Sequence, residues 1–335
     1  MKDKGVTDLN QWRLIFFERG EAMKYLRFIT KRICYMLITL LITSFVIFFL
    51  LHVFGTKPII TINAGKTVSD EILKSTEAKF NLNKNLITQY GIWLKDSVTG
   101  DFGISYVSKQ SVTNEIVAKL PVTAAIIFGT MLISMLIALP LGLIQAVFAG
   151  KKLDQILSIL LVVFASVPSF LLGLIALLII PYILPGYNVS GGYNNMGEFI
   201  SRVSVPCVVL AFINIGILSR IMRSSAVEEL NKHYVTTAKA KGMPFRKILF
   251  GDVVPNSIIP VLTVSSVMIG GIVSESMLVE QIFSLPGLGS MLVKAVSEND
   301  FPVTMAITVI LLILFMISSL ITDVIYTLID PRVSL

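Results

Sequence analysis

The residue types best suited to catalysis are scarce in this sequence. Among its 335 residues are two histidines, His52 and His233, and two cysteines, Cys34 and Cys207. Both cysteines fall at or within apolar segments, where a free thiol usually acts as a small hydrophobic side chain. Neither histidine has a nucleophile or second metal ligand at a motif spacing, so we expect no Ser-His pair, metal site or disulfide framework.

One short run could suggest a phosphate-binding loop. Gly65, Lys66 and Thr67 match the end of that motif, but its first glycine would fall at position 60, which is Ile60. No other stretch offers a nucleotide-binding fingerprint. We therefore expect no cofactor in this chain, and any ATP would have to be bound by a partner.

The spacing of the charged residues indicates what the chain is built from. Hydrophobic residues make up 54% of it and charged residues 15%, whereas an average soluble domain carries about 25% charged residues. Six long windows lack any charge: 33–56, 120–150, 155–197, 203–219, 253–274 and 301–322. About 20 residues of helix cross the hydrocarbon layer, so each window can hold one span.

We predict an all-α polytopic membrane protein with six transmembrane helices. The third window ends in a run rich in proline, glycine and asparagine, which would leave backbone groups unpaired in lipid. The first apolar stretch is longer than the core of a signal peptide, so we take it as a true span. The predicted spans are about 33–54, 121–149, 155–184, 203–221, 257–279 and 302–326.

Lysine and arginine counts predict that both termini are cytoplasmic. The segments then placed inside hold eighteen of these residues, whereas the two short outer loops hold only Arg202 and Lys294. The other eight lie in a sizeable extracellular loop, 57–119, whose length makes its charge a weak topology signal. The net charge of +7 therefore reflects topology and contact with membrane lipid, and we expect no nucleic acid partner.

The most informative inner segment is 222–257. From Ser225 a run without glycine or proline predicts one helix, Gly242 is suited to a left-handed cap, and Pro244 can open a second short helix. Small residues would let another protein approach the first helix closely. A solvated loop whose basic residues hold anionic lipid is the plainer alternative.

The run YVTTAKAKGMPFRKILFGDVVPN in this segment resembles the EAA loop of ABC importer permeases. The glutamate and first alanine of that loop are missing here, a departure typical of the peptide and nickel branch. The beginning MKYLRFITKRICYMLITLLITSFVIFFLLHVF, the outer run GDFGISYVSKQSV and the ending DVIYTLIDPRVSL are similar to the first-permease subunit type. The likeness covers about 23–335, with TKP at 56–58 replacing the usual GDP, and leaves 1–22 as a cytoplasmic or interfacial extension.

The resemblance implies a type I ABC importer permease without catalysis of its own. It would pair with a second, homologous permease, with two cytoplasmic ATPases that bind ATP and Mg²⁺, and with an extracellular solute-binding lipoprotein that delivers a peptide. The location would be a bacterial plasma membrane. The residues matching the ATPase-coupling loop are Thr236, Thr237, Ala238, Lys241, Gly242 and Pro255.

Two outer features are candidates for a translocation path or outer gate. Glu275 is an ionisable residue near the outer end of the fifth span, where such residues are costly and default to a functional hypothesis; a headgroup-level or inter-helix hydrogen bond is its simpler interpretation. The run FSLPGLG, with Phe283, Pro286, Gly287 and Gly289, could form a gate or docking surface, or merely turns.

Three alternatives to a peptide importer remain open at this point. A nickel or metal-chelate importer uses the same subunit type. A secondary transporter would need no ATPase but would be expected to show coupling carboxylates or inverted repeats near the middle of the membrane. A membrane enzyme ranks last, because the sequence lacks a catalytic set.

Overall fold

The computed structural model describes residues 19–55, 62, 74, 76–77 and 81–329. Within these ranges the protein is helical, with one isolated bridge between Ile104 and Ser111. The helices, numbered here in chain order, are α1 (Arg19–Phe54), α2 (Leu86–Val98), α3 (Val112–Val147), α4 (Lys152–Ser166), α5 (Ser169–Ile183), α6 (Met196–Leu230), α7 (His233–Ala240), α8 (Phe245–Ile248), α9 (Val254–Ile282), α10 (Leu288–Ser297) and α11 (Phe301–Ile329). A single π-helical turn, Leu249–Val253, joins α8 to α9.

Five long apolar helices in the described ranges can cross a membrane, namely α1, α3, α6, α9 (with α8 and the π turn) and α11. The predicted third span, 155–184, is instead two helices, α4 and α5, bent by 93°. Pro168 disfavours helical geometry at Val167, which is extended with ψ 125°. The six predicted spans are therefore obtained when this bent pair counts as one.

The core of the bundle is α6, which packs most extensively against α3. Small residues permit this close approach. A Cβ added to Gly129 would lie 2.8 Å from the Cys207 sulfur, and one at Gly142 would lie 2.6 Å from the Met222 Cβ. Without a hydrophobic force between helices in lipid, such close van der Waals packing is what holds them together.

A buried ion pair fixes the first turn of α4. Asp154 accepts two hydrogen bonds of 2.6 Å from the Arg223 guanidinium of α6, and its Oδ2 also accepts from the Gly150 N–H at 2.9 Å. The fork of an arginine matches a carboxylate with directional bonds. The short link between α3 and α4 is therefore fastened to the central helix.

Helix α1 lies at the edge of the bundle, with α11 as its main neighbour. Arg32 of α1 pairs with Asp323 of α11 at 2.7 Å and reaches Ser319 at 3.3 Å. Asp323 belongs to the ending DVIYTLIDPRVSL, and its partner Arg32 lies on the first span. Residues 1–18 and 330–335, which include most of the predicted extension and the DPR ending, lie outside the described residues.

The described part of the outer loop is joined to the start of α11. Asp300 is buried and accepts hydrogen bonds from Ser105 Oγ at 2.5 Å, Tyr106 N at 3.0 Å and Val107 N at 3.3 Å. Burial raises the pKa of Tyr106, and the negative charge of Asp300 raises it further. The GDFGIS run therefore forms a compact turn held by the next outer segment.

Candidate coupling hairpin and outer loop

Two short helices form a compact structure at the end of the bundle that the sequence predicts to be cytoplasmic, and we call it the coupling hairpin (231–248). Gly242 adopts φ +77°, and the N–H groups of Gly242 and Met243 donate to Lys239 O (2.9 Å) and Ala238 O (3.1 Å). This left-handed cap is as the sequence predicted, because glycine reaches that conformation without a Cβ penalty.

The single helix predicted from Ser225 is wrong. Helix α6 runs to Leu230, Asn231 follows as its cap, and Lys232 is extended (φ −73°, ψ 152°) before α7 begins at His233. The Asn231 side chain donates to Val227 O at 2.9 Å. Asparagine competes for backbone groups in this way, which is why a run without glycine or proline can still break.

One apolar side chain anchors α7 to the bundle. Val235 is fully buried in a cluster with Ala226 of α6, Ile248 of α8 and Val253 of the π turn. This contact joins the hairpin to the central helix and to the start of α9. A displacement of α7 would therefore be transmitted to both helices, since close-packed side chains carry strain.

A buried glutamate completes the attachment. Glu229, in the last turn of α6, accepts a hydrogen bond from the Tyr234 hydroxyl at 2.8 Å and pairs with Lys232 at 2.5 Å. Burial, together with the bond to Glu229, raises the pKa of Tyr234 to about 12. The phenol therefore stays protonated at physiological pH and remains a donor.

The predicted coupling residues fall on one accessible surface with two exceptions. Thr236, Thr237, Lys241 and Gly242 are exposed on α7 and its cap, whereas Ala238 is half-buried against the cluster around Val235. Pro255 is exposed but lies apart from α7 in sequence, in the first turn of α9 directly after the π turn.

The outer run FSLPGLG is built around a glutamate that the sequence reasoning did not select. Glu280 of α9 is 0% exposed. Its Oε1 accepts from Thr123 Oγ1 of α3 at 2.6 Å, and its Oε2 accepts from Ser290 N at 2.9 Å. Thr123 Oγ1 in turn accepts from Leu288 N at 2.8 Å. Glu280 and Thr123 therefore accept hydrogen bonds from two N–H groups in the first turn of α10, which have no partner within that helix.

Both glycines of the run are needed beside this carboxylate. A Cβ at Gly287 would collide with the Glu280 carboxylate, and one at Gly289 would lie 2.6 Å from the Met277 Cα. Phe283 is fully buried, in a cluster with Val279 and Leu285, and Pro286 is half-buried. The run is therefore mostly internal rather than a free outer surface.

Glu275, the predicted intramembrane candidate, does not join this cluster. It is half-buried and faces Ser169 at the start of α5, next to the bend between α4 and α5. Glu280 could have been found in the sequence as a second acidic residue between an apolar span and a glycine-rich turn. Nothing in the sequence indicated its partner Thr123, which lies 157 residues away.

Known families and relatives resemble this chain over most of its length. Residues 138–335 match the family described as binding-protein-dependent transport system inner membrane component, and residues 25–127 match the model of its N-terminal part. The chain is 34% identical to the oligopeptide transport system permease protein AppB of Bacillus subtilis over 76% of this chain and 83% of that protein. It is 32% identical to the dipeptide transport system permease protein DppB of Lactococcus lactis over 92% and 99%.

Similarity to solved structures supports the fold. The chain superposes on a structure of the MetNI methionine ABC transporter in an inward-facing conformation with a TM-score of 0.54 at 18% identity, covering 64% of this chain and 96% of that one. The two family matches, the relatives that align over most of the chain and the shared helical architecture all lead to the same assignment. The chain belongs to the binding-protein-dependent transport system inner membrane components, the permease subunits of type I ABC importers.

Proposed function

We propose that this chain is a permease subunit of an ATP-driven importer of peptides. The similar permeases are named for oligopeptide and dipeptide transport, which favours peptides over the nickel or metal-chelate alternative. The subunit itself makes and breaks no bonds. Its role is to form half of the translocation path and to change conformation when a motor protein acts on it.

The single observation that carries the coupling role is the construction of α7. Its exposed side carries Thr236, Thr237 and Lys241, while Val235 and Tyr234 attach its other side to α6 and to the π turn that leads into α9. A partner that pushes on the exposed side would therefore move two long helices. We propose that this partner is one of two cytoplasmic ATPases, which bind the ATP and Mg²⁺ that this chain does not.

A stripe along α9 supports pairing with a second, homologous permease. Thr263, Val267, Gly271, Ser274 and Leu278 are spaced by three or four residues and are exposed in the described structure. Small and hydroxyl-bearing residues at this spacing suit close helix contact or the lining of a polar path. Residues Glu275, Phe283, Pro286, Gly287 and Gly289 would then lie near the outer mouth, where a solute-binding lipoprotein would deliver the peptide.

The proposed location is a bacterial plasma membrane, with both termini in the cytoplasm. Eighteen lysine and arginine residues then lie on the inner side, as the positive-inside rule requires. The coupling hairpin and the Asp154–Arg223 pair would both be cytoplasmic. This orientation puts α7 on the side where ATP is available.

Substitution of Gly242 tests the coupling role. Gly242→Asp places a negative side chain in the left-handed cap of the proposed docking surface, so we expect loss of ATPase co-purification and of peptide uptake. Gly186→Asp is the matched control, because Gly186 also has a positive φ (+90°) with nothing within 4 Å of an added Cβ, but lies on the proposed outer side. Unchanged ATPase binding and uptake in Gly242→Asp would refute the assignment.

A further inference from the structure

Helix α2 lies unexpectedly deep beside the first span. The Tyr90 hydroxyl donates to Leu41 O at 3.2 Å and lies 2.9 Å from Ser44 Oγ. The candidate span of α1 is Ile29–Val53, so Ser44 stands nine residues from its outer end, about 13 Å at 1.5 Å per residue. The Tyr90 side chain reaches Ser44 and the Leu41 carbonyl from outside α1, so it must enter the hydrocarbon layer.

Aromatic contacts keep α2 at this depth. The Tyr90 ring packs edge-on against Phe45, with 5.2 Å between centroids, and against Phe48 at 5.5 Å. Within α2 itself, the Trp93 ring stacks on Tyr90 at 6.0 Å. Tyrosine and tryptophan are the residues that favour the boundary between lipid and water, because each joins an apolar ring to a polar group.

The face of α2 directed away from the bundle is apolar. Ile87, Gly91, Leu94 and Val98 follow the spacing of one helix face, and Ile87 and Val98 are 74% and 81% exposed. The sequence carries no charge between Lys84 and Lys95. Such a face in water would be costly, whereas an interfacial helix buries it among acyl chains.

A groove runs between α2 and the first span. Its volume is about 410 Å³, and it is lined by Phe45, Phe48, Phe49, Asn85, Leu86 and Ile87. The one polar side chain, Asn85, already accepts a hydrogen bond from Thr88 N at 2.8 Å. The groove is continuous with the exposed apolar surface of α1 around Ile42 and Phe49.

We propose that this groove holds an acyl chain of an outer-leaflet phospholipid and that α2 lies embedded in that leaflet. Depth, apolar lining and continuity with the lipid-facing side of α1 all favour a lipid over a protein segment. The embedding depends on the span of α1 alone, whereas the choice of leaflet rests on the proposed orientation. The consequence is that the outer loop is anchored in the membrane at a fixed height instead of standing free in water.

Photo-crosslinking tests the occupant directly. The assembled transporter is placed in nanodiscs containing phosphatidylcholine with a diazirine in the middle of one acyl chain, and adducts are mapped by mass spectrometry after illumination. We expect adducts on Phe49, Leu86 and Ile87, and none on the exposed outer-turn residue Lys109. Labelling of Leu178, 76% exposed on α5, with none on α2 or Phe49, would overturn the proposal.

Thiol labelling separates lipid from water and from a covering protein. Ile87→Cys and Asp96→Cys lie nine residues apart, on opposite sides of α2, and each is made in a transport-active Cys34→Ser/Cys207→Ala background carrying an affinity tag. In intact cells a membrane-impermeant maleimide should modify Asp96→Cys and spare Ile87→Cys until the membrane is dissolved. Equal reaction at both positions would show a water-exposed face and contradict the proposal, as would protection of Ile87→Cys without lipid adducts.

Discussion

Glu229 and Glu280 are buried acceptors at opposite ends of the bundle, and they are held in different ways. Glu229 takes its two bonds from Lys232 and Tyr234, three and five residues further along the chain. Glu280 takes its bonds from Ser290, ten residues away, and from Thr123, 157 residues away. The inner carboxylate therefore organises one local hairpin, whereas the outer carboxylate joins three separate elements.

This difference indicates which end is built to move as a unit. The hairpin, its glutamate and the last turn of α6 can be displaced together without breaking the bonds of Glu229. At the outer end, any relative movement of α3, α9 and α10 would break a bond to Glu280 and expose a buried carboxylate, which is costly. We therefore expect inner contacts to tune coupling and outer contacts to determine stability.

The largest expected effect is that of Glu280→Ala. The change removes the acceptor for Thr123 Oγ1 and Ser290 N. Each donor left unsatisfied costs about 1–3 kcal/mol, so we expect a loss of about 2–6 kcal/mol. Unfolding of the purified complex in a mixed-micelle denaturant titration measures it. Glu298→Ala, on an exposed residue of the same loop, is the control and should change stability little.

Gly289→Ala should have the next largest effect. The new Cβ would meet the Met277 backbone at 2.6 Å, and overpacking of this kind costs about 1–3 kcal/mol. Gly192→Ala, in the segment between α5 and α6 with nothing within 4 Å of an added Cβ, is the control and should be neutral or slightly stabilising. Equal melting temperatures for the two variants would show that the outer loop relaxes more freely than its packing suggests.

Tyr234→Phe should act on coupling more than on stability. The variant keeps the ring and removes the bond to Glu229, a loss of about 1 kcal/mol. We expect nearly normal assembly but fewer peptides imported per ATP hydrolysed, measured in proteoliposomes. Tyr182→Phe, on a tyrosine 88% exposed near the outer end of α5, is the matched control. A normal transport ratio in Tyr234→Phe would remove the distinction between the two ends.

Lys232→Gln should have the smallest effect. The bond to Glu229 raises the pKa of Lys232, yet the ammonium is in water, where ion pairs contribute little. We expect transport and melting temperature close to those of the unchanged protein. A defect as large as that of Tyr234→Phe would mean that Glu229 is held by the ammonium rather than by the phenol.

Several features were predictable because they depend on short stretches of sequence. Gly242 has its left-handed cap, since only the residue type and its neighbours decide that geometry. The bend at Pro168 was missed although the proline is evident in the sequence. An uncharged window shows that a segment can lie in lipid, but it does not show whether the segment is one helix or two. Asn231 likewise broke a helix that composition alone favoured.

The sequence by itself determined that this protein is a membrane protein and how many spans it can have, and it predicted which segment a partner would contact. These follow from the cost of placing charges in hydrocarbon, which each segment meets on its own. Only the tertiary structure decided the partners of Glu280, Asp300 and Arg32, which lie up to 157, 195 and 287 residues away, and the depth of α2 beside the first span. Such pairings depend on how the helices pack against one another, which no single segment specifies.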